Sequence, residues 1–148
     1  MKEIDKFKIL KEYETNLMHV IDLLGDGETN NLQLNKLGKH LFGNRFIGVF
    51  TSDKIIKLKN NEMCIVNTDP SNKKGLHWTA LCVYKDKVYF YDTFNRNYKK
   101  LSKNWLNKKW INANKDRDES YKEANCGQKS ICWLISFQKH GPKIINII

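Results

Sequence analysis

The chain has 148 residues, of which 41% are hydrophobic and 11% aromatic, and a formal net charge of +10. That length buries one core but hardly two, so a single domain over 1–148 is expected. The charge comes mainly from lysine, which suits attraction to a polyanion, an anionic surface or an acidic partner better than bidentate reading of bases. The plainer alternative is a lysine- and asparagine-rich composition whose charge keeps the protein soluble. Cys64, Cys82, Cys126 and Cys132 form no Cys-x-x-Cys pair and no dense framework, which points to a reducing compartment and away from disulfides or a bound metal. Residues 1–10 are too charged for a signal-peptide core. No apolar run approaches the ~20 residues of a membrane span, so an intracellular protein without a membrane segment is expected.

In chain order, Ile4, Phe7 and Leu10 recur at helical spacing. Thr15 is placed to cap a second helix with Leu17, Met18, Ile21 and Leu24 on one face, ended by Gly25-Asp26-Gly27. Residues 28–45 read as loop with a short helix, because Leu32, Leu34, Leu37 and Leu41 are loosely spaced. Phe46–Phe50 reads as a strand, Thr51-Ser52-Asp53 as a turn or cap, and Ile55 and Ile56 as packed. Met63–Val66 is a buried strand, closed by the turn-rich residues 67–72. Trp78–Tyr84 alternates, Lys85-Asp86-Lys87 turns, and Val88–Tyr91 returns, which makes a β-hairpin. Tyr98–Trp110 reads as a basic helix and residues 112–124 as a charged loop. Gly127–His140 is a helix with Ile131, Leu134 and Ile135 inward and Gly141-Pro142 as its stop.

Three of these placements carry chemistry. His77 begins one strand of the hairpin and Asp92 ends the other, so the two ends are neighbours and an Asp–His contact is expected. Cys126 opens the last helix, where unpaired N–H groups and the positive end of the dipole favour the thiolate. A thiol, an exposed imidazole to take its proton, and a carboxylate to orient that imidazole are the parts of a nucleophilic acyl-transfer site. The backbone N–H of Cys126 is placed to hold an oxyanion, and Gly127 leaves room for a substrate carbonyl. Taken singly, each residue has a plainer role. Cys64, Cys82 and Cys132 sit inside apolar runs and read as small core residues. His19, His40 and His140 read as structural, Trp105 and Trp110 as core contacts, and Trp78 as a wall of the site or plain core.

In the same order, Met63-Cys-Ile-Val-Asn-Thr68, Gly75-x-His77-Trp78, Tyr89-Phe-Tyr-Asp92-Thr-Phe94 and Cys126-Gly127 before an apolar helix resemble the adenovirus protease (adenain) family. Arg45-Phe-Ile-Gly-Val-Phe-Thr-Ser-Asp-Lys54 is similar to that family's segment before its first core strand. The likeness runs from about Thr15 to about His140, with residues 1–14 as an extension. It implies an α+β fold, a central mixed sheet packed between helices with the nucleophile at a helix N-terminus. The activity it implies is a viral cysteine endopeptidase that cleaves capsid precursor polypeptides during virion maturation, as in virophages and Polinton-type elements. The setting would be the virion and the host cell interior, with a monomer as the working unit.

The resemblance carries the nucleophile onto Cys126, the base onto His77 and the acidic member onto Asp92, where the family has the longer Glu. The family's oxyanion-hole glutamine has no counterpart, since Glu119 and Ser120 stand six or seven residues before the nucleophile; Asn125 or backbone alone would replace it. The sequence implies no required cofactor. No cysteine lies between Asp92 and Cys126, so a disulfide-linked activating peptide is not expected, while the basic surface keeps DNA open as an activator. A chymotrypsin-like cysteine protease would need two β-barrels. A ubiquitin-like-protein isopeptidase of the related SUMO-protease group, and an inactive DNA-binding or virion structural module, remain as alternatives.

Overall fold

The computed structural model describes residues 2–68, 77–93, 108–113 and 125–148. The first helix, α1 (Glu3–Leu24), runs through Thr15 without a break. It buries Ile9, Tyr13 and Val20, with Leu17 and Leu24 packed beside them. Those five repeat every three to four residues and make a more continuous stripe than the expected one. Ile4, Phe7 and Met18 are instead 73%, 69% and 67% exposed. Residues 3–14, set aside above as an extension, therefore form the first half of a core helix.

Residues 31–42, expected to be mostly loop, form the helix α2 (Asn31–Phe42). A reciprocal cap starts it: the Asn30 side chain accepts from Gln33 N–H and the Gln33 side chain from Asn30 N–H, both at 2.9 Å. Leu34 and Leu37 point inward, while Leu32 and Leu41 remain exposed. A side chain at Gly38 would come within 2.5 Å of the Phe46 ring, so glycine lets α2 lie close against the first strand.

Among the described residues five strands follow: β1 (Phe46–Thr51), β2 (Met63–Asn67), β3 (Trp78–Tyr84), β4 (Lys87–Tyr91) and β5 (Lys109–Asn112). They form one mixed sheet in chain order, parallel at β1/β2 and β4/β5 and antiparallel between. The hairpin turn is two residues rather than three. Lys85 and Asp86 both take positive φ, 48° and 62°, and Tyr84 pairs with Lys87, as a tight hairpin with native strand twist requires. Trp110 does not end a basic helix. It pairs with Val88 in β5, where its ring packs on Phe90; residues 98–107 of that expected helix lie outside the described residues.

The last helix, α3 (Cys126–His140), lies along the sheet and ends, as expected, at Gly141, which takes a positive φ of 69° and leads into a separate 3₁₀ turn over Gly141–Ile144. Ile131, Trp133, Leu134 and Phe137 meet Ala80, Cys82, Tyr89 and Tyr91 in the same cluster as the buried residues of α1 and α2. The opposite sheet face carries Cys64, Val66, Leu81, Val83, Val88, Phe90 and Trp110, covered by Leu58 and Ile55. All three described helices thus share one face, and the expected sheet between helices is one-sided among the described residues. Ile56, expected to pack, is 51% exposed. No helix of the described residues is long and apolar enough to cross a membrane.

Glu12 ties α1 to the end of α3, accepting from His140 Nε2 at 2.8 Å and Lys139 Nζ at 3.1 Å. The His140 bond, then the Lys139 bond, holds its carboxyl below the ordinary value of 4.5. The stabilisation is complete above that ordinary value and is lost as pH falls through the lowered one. Glu12→Gln is therefore expected to lower the melting temperature by about 1–3 °C at pH 7. The difference should shrink as pH falls through the lowered value, which thermal unfolding across pH checks.

Candidate active site

The register of the hairpin brings the first two candidate residues together. Ala80 pairs with Tyr91, so Asp92, one residue on, falls opposite Thr79 and diagonally across from His77. Diagonal neighbours on one face are within reach of an imidazole. His77 Nε2 lies 2.5 Å from Asp92 Oδ1, with the ring N–H donating to the carboxylate. Both side chains are buried, the residues 4% and 1% exposed, so His77 is not the exposed imidazole that its place at a strand start suggested. The backbone of His77 is held as well, since its carbonyl accepts from Thr68 N–H at 3.1 Å and prolongs the β2–β3 ladder.

Cys126 is the first residue of α3. Its Sγ accepts the backbone N–H of Trp78 at 3.3 Å, which places the sulfur against the residue that follows His77. One turn further along the helix, Ser130 Oγ donates to the carbonyl of the same Trp78 at 3.3 Å. His77 and Asp92 therefore meet at one end of the sheet, and Cys126, distant in sequence, touches the main chain of the residue after His77. The other three cysteines are buried in the two core clusters. Burial pushes the Cys132 thiol up to about 12 and those of Cys64 and Cys82 well above their ordinary value. All four thiols are free of disulfides.

The loop between α1 and α2 closes over the start of α3. Gln128 is wholly buried, and its Nε2 donates to the carbonyls of Gly25 at 2.7 Å and Gly27 at 2.8 Å. Asn125 Nδ2 donates to Asp26 Oδ1 at 3.1 Å, and the Trp78 indole N–H to the Thr29 carbonyl at 3.0 Å. These contacts revise the expectations for Gly127 and Asn125 and bear out the core role that was one of the two expected for Trp78. Gly127 does not open room for a substrate carbonyl: a side chain there would strike Thr29 Oγ1 and press on Leu34 and the Trp78 ring. Trp78 is a clamp on the loop, packed against the core. The Asn125 amide is committed to Asp26 rather than turned to an oxyanion.

Gln128 was missed in the sequence, although one signal was present. A glutamine in the first turn of an otherwise apolar helix must satisfy a buried amide. Glu119 and Ser120 lie outside the described residues. Among the described residues, no group of three or more His, Cys, Asp or Glu is placed to hold a metal ion. No protein-family model matches the chain, and no curated protein matches it. Replacing Gln128 by Ala leaves two loop carbonyls without their donor and a void in the helix start. A loss of about 1–3 kcal/mol is expected, readable as a lower midpoint in urea unfolding.

Proposed function

We propose that this chain is a cysteine endopeptidase of adenain-like fold, with Cys126 as nucleophile, His77 as base and Asp92 as the group that orients it. The observation that carries this reading is the buried His77–Asp92 bond, together with the next residue, Trp78, whose N–H donates to the sulfur of a cysteine that begins a helix. A carboxylate bonded to one ring nitrogen selects the tautomer that turns the other nitrogen to the nucleophile. Asp92 takes Nε2, so proton exchange with the thiol runs through Nδ1.

In the proposed reaction the Cys126 sulfur, its proton passed to His77, attacks the scissile carbonyl and forms a carbon–sulfur bond. The tetrahedral intermediate collapses, the carbon–nitrogen bond breaks, and His77 gives its proton to the leaving amine. Water then attacks the thioester, His77 removes its proton, and the acid product leaves as the thiol is restored. The oxyanion is held by backbone amides at the start of α3, that of Cys126 among them. First-turn amides have no intrahelical acceptor, and the side-chain amides of Asn125 and Gln128 are occupied by the α1–α2 loop.

For substrate, the motif resemblance supports capsid precursor polypeptides cut during virion maturation, inside the virion or the infected cell. The net charge of +10 supports DNA as a stimulating partner.

Two measurements test the activity. Under brief iodoacetamide treatment at near-neutral pH, Cys126 is expected to react well ahead of Cys64, Cys82 and Cys132, whose thiols burial holds protonated. Equal reactivity of Cys126 and Cys132 would sink the reading. Cleavage of the co-encoded capsid precursor, with and without DNA, should vanish in Cys126→Ala and fall by about 10²–10⁴ in kcat for Asp92→Asn. Release of ubiquitin-like conjugates with the precursor left intact would assign an isopeptidase instead, and salt-sensitive DNA binding without any cleavage a binding module.

A further inference from the structure

Residue 78 is gripped by α3 at two points. Its N–H goes to Cys126 Sγ and its carbonyl receives Ser130 Oγ, each at 3.3 Å. Positions 126 and 130 are four apart on one helix and so lie one above the other on the same face. The first residue of β3 lies along that face with both of its main-chain polar groups engaged. The helix turn that carries the sulfur is thus registered against the strand start that carries His77. The bond from Cys126 cannot hold this register during a reaction, because the sulfur is the atom that changes charge and then bonds to carbon. The bond from Ser130 does not take part in that change. Ser130 is wholly buried, so its hydroxyl is not an incidental surface group.

We infer that Ser130 is a positioning residue: by holding the Trp78 carbonyl it keeps His77 in reach of the Cys126 sulfur. The inference rests on the reading of Cys126 and His77 as nucleophile and base. Ser130 touches no reacting atom and acts through the main chain of residue 78. Ser136 supplies an internal control. It is a second buried serine on α3, ten residues from Cys126 along the helix, and it makes no bond to Trp78.

The experiment follows alkylation of Cys126 by iodoacetamide across pH 5–9, resolved by peptide mass spectrometry, in the wild-type chain, Ser130→Ala and Ser136→Ala, with thermal unfolding of each. Ser130→Ala is expected to slow Cys126 at near-neutral pH by about tenfold, the equivalent of one net hydrogen bond, and to move the midpoint of its pH profile upward. Ser136→Ala should leave both rate and midpoint at wild-type values. A wild-type rate and midpoint in Ser130→Ala, with wild-type Cys126 still far faster than Cys132, would overturn the positioning role alone. Equal losses in the two serine variants, or a Ser130→Ala chain that does not fold, would assign Ser130 to packing and overturn it as well. A wild-type Cys126 no faster than Cys132 would remove the protease reading and this inference together.

Discussion

A carboxylate taken out of water needs a donor or an opposite charge close by, and the candidate site is built on that requirement. Asp92 is almost wholly buried, with the imidazole of His77 beside it. Two groups that must meet set the ends of β3 and β4, and the tight turn at Lys85-Asp86 sets the register that lets them meet. One residue of slippage would put Asp92 on the opposite face of the sheet from His77. The apolar residues of the hairpin guard against that slip, because Leu81, Val83, Val88 and Phe90 pack on one face and Ala80, Cys82, Tyr89 and Tyr91 on the other.

The helix α3 serves two purposes along its length. From Ile131 onward it presents Trp133, Leu134 and Phe137 to the sheet, where Trp133 stacks on Tyr91 with ring centroids 5.3 Å apart. Its first turn and a half is polar in function although buried, since Cys126, Gln128 and Ser130 all bond to main-chain groups outside the helix. Packing of the apolar part anchors the helix on the sheet, and the polar part registers its N-terminus against the strand and the α1–α2 loop. Glycine at 127 is required by that second purpose, because Thr29 and Trp78 occupy the space a side chain would need.

Much of the site was legible in the residues. The hairpin is a local structure with a strong alternation, and its two ends are neighbours whatever the rest of the fold does. The start of α3 was readable from the turn into an apolar helical pattern at Asn125-Cys126-Gly127. The inward face of α1 was not, because Ile4, Phe7 and Met18 fit helical spacing as well as Ile9, Tyr13 and Val20 do. Only the partner surface on α3 decides between them. A short helix was expected within residues 28–45, but its full extent, Asn31–Phe42, was not legible, because the leucines are loosely spaced even though the capping pair Asn30 and Gln33 stands in the sequence. β5 was missed because four residues at a sheet edge leave almost no periodicity.

The sequence by itself determined the local elements and the chemistry available: a hairpin with His77 and Asp92 at its open end, and a helix that begins with a thiol. Both follow from short-range rules of alternation, helical spacing and turn geometry. Tertiary structure alone decided that Cys126 meets the residue beside His77, that imidazole and thiol lie buried, and that Gly127, Asn125 and Gln128 serve the loop above α3. Those outcomes depend on which surfaces are brought together across 48 to 103 residues of chain. No local pattern carries that, because the free energy deciding it comes from burying one element against another.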